Sequence, residues 1–186
     1  MKRLFIAAEI SDEARRIALA QIKNLRSAFP TVEAKWVKPE NLHVTLKFLG
    51  DTDDALVHDL VGVLTKAVSE FGPIQLRLSG PMTFGKRVIA INIDDEAGTV
   101  LSLQKTTDSA CSQFGFPLEH RRFHPHLTIA RVRVARNAKQ LLDFHLSSEI
   151  RKAEFILSRI VLFESIMLRS GVSYIPLETF PLNANS

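Results

Sequence analysis

Two short stretches of this chain repeat a pattern suited to acid–base chemistry. They are Leu42-His43-Val44-Thr45-Leu46-Lys47-Phe48-Leu49-Gly50 and Phe123-His124-Pro125-His126-Leu127-Thr128-Ile129-Ala130-Arg131, and each holds His-x-Thr-x with x apolar. The histidines lie 83 residues apart (126 − 43). An imidazole has an unperturbed pKa of about 6.5, so both its forms are accessible near neutrality. Two of them in one cleft can divide the roles of acid and base. A threonine hydroxyl donates a hydrogen bond without titrating. Two imidazoles and two hydroxyls therefore suit a phosphate diester, with one base, one acid and two neutral donors for the non-bridging oxygens.

A strand would position these groups, because side chains at i and i+2 share a face about 7 Å apart along it. His43 and Thr45 then point one way, and Val44, Leu46 and Phe48 point to the core. His126 and Thr128 share a face, with Leu127 and Ile129 to the core. Strict alternation sets Arg131 on the face opposite His126, at a strand end where the chain can twist. It also keeps Lys47 in phase with His43 and Thr45, so Lys47 is expected as a rim lysine in water, within reach of an RNA backbone. Phe5, Phe48 and Phe84 have the geometry to stack on a base, but aromatic residues in apolar strands are expected in the core. His124-Pro125-His126 has a zinc-binding spacing, yet no clustered Cys, His or carboxylate motif supplies further ligands. No metal and no cofactor are expected, and His124 reads as a supporting residue. His58, His120 and His145 stand outside any motif and are expected at the surface.

The rest of the chain must bring the two strands together. Its 186 residues fit one domain, spanning 1–186. Hydrophobic residues make up 46% and no apolar run approaches a membrane span, so no membrane association is expected. Glu9, Asp12 and Glu13 interrupt the apolar start too early for a signal peptide, which points to a first strand and a cytoplasmic protein. Cys111, the only cysteine, excludes an internal disulfide and is expected as a small core residue. The net charge of +4 is a weak pointer to a polyanionic partner such as RNA.

Patterning predicts a strand over Leu4–Ile10, then a helix capped by Ser11 that carries Ala14, Ile17, Ala18, Ile22, Leu25 and Phe29 on one stripe up to Pro30. A second helix carries Leu56, Leu60, Val63, Leu64, Ala67 and Phe71 as far as Gly72-Pro73. A third carries Val100, Leu103, Thr107, Ala110, Cys111 and Phe114. Strands are expected at Ile74–Ser79, broken by Gly80-Pro81, and at Arg87–Ile93. One long strand is expected over Phe155–Phe163, followed by a hairpin turning at Arg169-Ser170-Gly171. A helix is expected over 136–148 and a loose tail after Pro181. Short strand-to-strand steps predict antiparallel pairing and an α+β class.

Trp36-Val37-x-Pro39-Glu40-Asn41-Leu42-His43-Val44-Thr45-Leu46-Lys47-Phe48-Leu49-Gly50 and His124-Pro125-His126-Leu127-Thr128-Ile129-Ala130-Arg131 resemble the two signatures of the two-histidine (2H, HxTx) phosphoesterases. The nearest branch by resemblance is the bacterial RNA 2′,3′-cyclic phosphodiesterases, also called 2′-5′ RNA ligases. The resemblance runs from Arg3-Leu4-Phe5-Ile6 to Tyr174-x-x-Leu177. It implies a bilobal α+β fold with two pseudo-symmetric lobes, in which two mainly antiparallel sheets with flanking helices surround a central cleft. It implies metal-independent hydrolysis of a 2′,3′-cyclic phosphate RNA end to a 2′-phosphate, with reversible 2′-5′ RNA ligation. It makes His126 the proton acceptor and His43 the proton donor, with Thr45, Thr128 and Arg131 binding substrate. Implied partners are RNA with 2′,3′-cyclic phosphate ends, tRNA fragments included, with small cyclic nucleotides as minimal substrates and a monomeric protein. The rival readings are a phosphoesterase for small cyclic nucleotides or 2′-5′ oligonucleotides, and a non-catalytic RNA- or nucleotide-binding module.

Overall fold

The computed structural model describes residues 1–133, 138–169 and 171–183. Its elements run β1 (Lys2–Glu9), α1 (Asp12–Ala28), β2 (Ala34–Trp36), a 3-10 turn (Pro39–Asn41), β3 (His43–Thr52), α2 (Asp54–Val68), β4 (Ile74–Phe84), β5 (Val88–Asp94), α3 (Thr99–Ser112), β6 (His126–Val132), α4 (Lys139–Ser147), β7 (Ala153–Leu157), β8 (Arg159–Leu168) and β9 (Gly171–Pro181). The class is α+β. One sheet has the order β3-β1-β8-β9 and the other β2-β6-β5-β4-β7, and every pairing is antiparallel. No helix among the described residues is long and apolar enough to cross a membrane.

The helices start where side chains supply the missing acceptors. Ser11 Oγ accepts from the Ala14 amide at 3.2 Å, with Asp12 and Glu13 in the first turn. Asp53 does the same for Ala55 at the head of α2. Asp95 takes the amides of Thr99, Val100 and Leu101 at the head of α3. In β1, Leu4 to Ala8 are all buried, as befits a strand covered on both faces.

The two sheets are interlocked. Divided at Gly85, between β4 and β5, the chain pairs each motif strand with a strand from its own part, β3 with β1 and β6 with β5, and β6 also pairs with β2 from the other part. The next strand in each sheet comes from the other part: β8 lies beside β1, and β4 lies beside β5. The helices cross as well. α1 follows a strand of the first sheet but packs on β6 and β7 of the second, whereas α3 follows β5 and packs on β3. No free linker sets the approach of β3 to β6; the crossings do.

Three expectations need correction. β4 runs through Gly80-Pro81 without a break, because a register shift between Leu78 and Gly80 absorbs the proline. Phe155–Phe163 is two strands in different sheets, divided at Ser158, whose carbonyl accepts from the Leu182 amide at 2.8 Å. The first three helices stop at Ala28, Val68 and Ser112, short of the expected Phe29, Phe71 and Phe114. Residues 136–137 of the expected fourth helix, Ser170 of the hairpin turn and residues 184–186 of the tail lie outside the described residues.

Candidate active site

Both motif strands carry a one-residue bulge immediately after the threonine. Across the β1–β3 ladder Thr45 meets Ala7 and Lys47 meets Ile6, which leaves Leu46 as an extra residue. Across the β5–β6 ladder Thr128 meets Ala90 and Ala130 meets Ile89, which leaves Ile129 extra. An inserted residue reverses the facing of everything after it. Val44, Leu46, Leu127 and Ile129 go to the core as expected, and His43, Thr45, His126 and Thr128 stay half-buried on the cleft side. Beyond the bulge the expectation fails in both strands. Phe48 is 62% exposed rather than in the core, and Arg131 is exposed on the cleft side rather than opposite His126.

Lys47 is also not a rim lysine. It is 2% exposed, and its ammonium donates to Asp108 Oδ1 and to the Pro117 carbonyl, both at 2.5 Å. The other Asp108 oxygen accepts from the Glu119 amide at 2.9 Å. The pair ties β3 to α3 and to the segment that leads into the second motif.

The two imidazoles are held identically. His43 Nδ1 lies 2.8 Å from the Asn41 carbonyl, and His126 Nδ1 lies 2.7 Å from the His124 carbonyl. A carbonyl only accepts, so Nδ1 carries the proton in each ring and Nε2 is the working nitrogen. His43 Nε2 is 3.0 Å from Thr45 Oγ1. An aromatic ring backs each imidazole: Phe5 for His43 at 5.0 Å between centroids, and Phe84 for His126 at 4.5 Å. Phe5 is in the core as expected, whereas Phe84 is half-buried.

A cavity of about 300 Å³ is lined by His43, Phe5, Asn41, Arg3 and Tyr174. A second, of about 210 Å³, is lined by His126, Phe84, Arg121, Arg122 and His124. Thr45, Phe48, Thr128 and Arg131 line both. One imidazole therefore lines each cavity, and both hydroxyls and a guanidinium are common to the two.

Both histidines are held below their ordinary pKa. Burial brings His43 to about 4, opposed by its Asn41 bond and aided by the charges of His126 and Arg131. Burial also lowers His126, opposed by the His124 carbonyl and aided by Arg131 and His124. Burial thus favours the neutral form of both rings.

Sequence reading missed Tyr174, whose ring stands edge-on to His43 at 5.3 Å. Asn41 Nδ2 also donates to the Val172 carbonyl at 3.0 Å. β3 and β9 are opposite edges of a four-stranded sheet, which laid flat would be about 14 Å apart at the usual strand spacing. The sheet curls until its edges meet over His43, and no local pattern signals that. His145 is fully buried, against the expectation of a surface group. Its Nε2–H donates to the Ala90 carbonyl at 2.8 Å, and its Nδ1 accepts from Gln21 at 3.1 Å. It thereby braces the residue that faces Thr128 across the ladder. His58 and His120 are exposed and Cys111 is buried, as expected. No three His, Cys, Asp or Glu side chains converge as metal ligands among the described residues.

The family model of the 2′-5′ RNA ligase superfamily matches residues 11–166, a span that holds both motif strands. The chain belongs to that superfamily. A superfamily relative from Methanothermobacter thermautotrophicus, named RNA 2′,3′-cyclic phosphodiesterase, is 30% identical over 188 residues, covering 97% of this chain and 98% of its own. One of the same name from Methanocaldococcus jannaschii is 30% identical over 175 residues, covering 92% and 96%. Among solved structures, the TT0787 protein of Thermus thermophilus superposes with a TM-score of 0.77 at 23% identity, covering 99% of this chain and all of that one. E. coli LigT complexed with 3′-AMP gives 0.75 at 23% identity, covering 97% and 98%. At that identity these two likenesses bear on the superfamily fold alone.

Proposed function

We propose that this protein is an RNA 2′,3′-cyclic phosphodiesterase that opens a cyclic phosphate end to a 2′-phosphate. The observation that carries the reading is the pair of adjoining cavities, with one imidazole in each and both hydroxyls common to the two. In-line displacement needs a base on the entering side of phosphorus and an acid on the leaving side. The names of the M. thermautotrophicus and M. jannaschii relatives support the substrate class.

Water enters on the His126 side, and His126 Nε2 takes its proton. The P–O3′ bond breaks, and His43 Nε2, protonated in the complex, gives its proton to O3′. Thr45, Thr128 and Arg131 hold the phosphoryl oxygens and offset the charge that grows in the transition state. The phosphate's own negative charge counters the burial of His43 and raises its proton affinity once substrate is bound. These groups complete the chemistry without metal or cofactor. A 5′-hydroxyl in place of water yields a 2′-5′ linkage by the same steps. The reading includes one domain over 1–186 with two pseudo-symmetric lobes, a cytoplasmic monomer, and RNA ends, tRNA fragments among them, as the partner.

The test is turnover of an oligoribonucleotide ending in a 2′,3′-cyclic phosphate, compared with free 2′,3′-cyclic mononucleotide and with 2′-5′ oligomers, each in excess chelator. Hydrolysis to a 2′-phosphate end, fastest on the oligoribonucleotide, is expected. Binding without turnover, or activity lost to chelator and restored by zinc, refutes it.

A further inference from the structure

Water needs no pocket, yet the His126 side of the cleft has a cavity of about 210 Å³. Its walls are of two kinds. Phe84, Phe123 and the exposed face of Phe48 offer apolar ring surface; Arg121 and Arg122 are exposed cations. Arg3, Arg77, Arg151 and Arg159 are engaged by carboxylates. Among the described residues neither Arg121 nor Arg122 has a carboxylate within ion-pair distance. Arg122 also borders a groove holding Asp94, Asp95 and Glu96, but these are already occupied. Asp94 and Glu96 bind Arg77, and Asp95 caps α3. Glu119 is the carboxylate in the cavity wall itself. The segment is anchored at its root, because the buried Lys47–Asp108 pair grips the Pro117 carbonyl and the Glu119 amide.

We infer that this cavity seats the 5′-terminal nucleoside of a second RNA strand, with Arg121 and Arg122 meeting that strand's phosphates. The inference rests on the phosphodiesterase reading and assigns the half of the cleft that water leaves unused. The base stacks on the ring surface, as sequence-tolerant single-strand sites do. In the step that follows, O5′ attacks phosphorus and the O5′–P bond forms as P–O3′ breaks. His126 takes the O5′ proton and His43 delivers one to O3′, leaving a 2′-5′ diester and no other product.

The test is the partition of one donor between two nucleophiles in one tube. A donor oligoribonucleotide with a 2′,3′-cyclic phosphate is incubated with a 5′-hydroxyl oligoribonucleotide, and joined and hydrolysed products are counted together. Their ratio is independent of the amount of folded enzyme. The double variant Arg121→Ala/Arg122→Ala is expected to lower joined-to-hydrolysed product about tenfold or more, the scale of one charge-assisted contact. The change falls on the acceptor's apparent KM, and the salt dependence of that KM flattens by a slope of about 1.4 for two lost phosphate contacts. Arg121→Lys/Arg122→Lys keeps the salt slope. A ratio within twofold of wild type overturns the assignment. So does a raised KM for the cyclic-phosphate strand in hydrolysis alone, which would place the donor strand on this wall. Wild-type hydrolysis without any joined product overturns it and leaves the phosphodiesterase reading standing. No wild-type hydrolysis overturns both.

Discussion

The strands β3 and β6 are built alike and surrounded differently. Each holds its imidazole by Nδ1 to the carbonyl two residues back, sets a threonine two residues on, and inserts an extra residue right after it. Around His43 close Phe5, Phe163 and Tyr174, in a pocket roofed by the curled sheet. Around His126 stands Phe84, with a basic segment beyond it. Four residues past the histidine, one strand has buried, paired Lys47 and the other buried Ala130; five past, one has Phe48 and the other Arg131. The lesson is that the backbone fixes where a proton can be transferred, while the neighbours fix which form of the ring is favoured.

The largest effect is expected where the strands differ most. Lys47→Met strands a buried Asp108 carboxylate and should cost about 3–5 kcal/mol in stability, whereas Ala130→Gly at the equivalent position costs about 1. Urea denaturation of both variants checks this, and equal losses would mean the ion pair is incidental to β3.

Next come the histidines. His43→Ala and His126→Ala should each lower kcat at least about a hundredfold. A large loss in only one of them would break the equivalence of the two strands. Thr45→Val and Thr128→Val should each lose about tenfold or more, less than a lone oxyanion donor commonly supplies, because two hydroxyls and Arg131 share the charge.

The pH dependence sharpens the contrast. Burial lowers both rings, His43 to about 4, so the free enzyme holds its acid in the active form only at low pH. The bell in kcat/KM should centre below pH 6.5. The bell in kcat should lie higher, because bound phosphate favours the imidazolium. His126→Asn should remove the acidic limb and His43→Asn the alkaline one; the reverse pattern exchanges their roles. Stability follows the same sign. Folded-state values below 6.5 mean that the unfolded chain binds more protons, so stability is complete above about pH 6.5 and falls between there and about 4. A flat urea midpoint across that window would contradict the burial of His43.

The motifs, the Ser11 cap and the α+β class were legible because each depends on residues close together in sequence. Strict alternation misplaced Arg131 and Phe48 for one reason, although the family resemblance had set Arg131 at the substrate: period-two reasoning cannot see an inserted residue, since Leu46 and Ile129 look like ordinary strand positions. Tyr174 and His145 were missed because their partners, His43 and Ala90, are distant in the chain and are met only through sheet curl and helix crossing. Lys47 looked like a surface residue because its counter-ion, Asp108, sits 61 residues further on, on α3.

The exchange of β2 and β4 for β8 and β9 between the sheets has a consequence for inheritance. A chain cut near Gly85 would leave each fragment holding two strands that belong to its counterpart's sheet, β2 and β4 on one side and β8 and β9 on the other, and lacking the two that its own sheet requires. Neither fragment is a viable module to be shuffled, lost or fused separately. Mixed together, they should dock by complementation, so descent acts on the pair as one indivisible gene product.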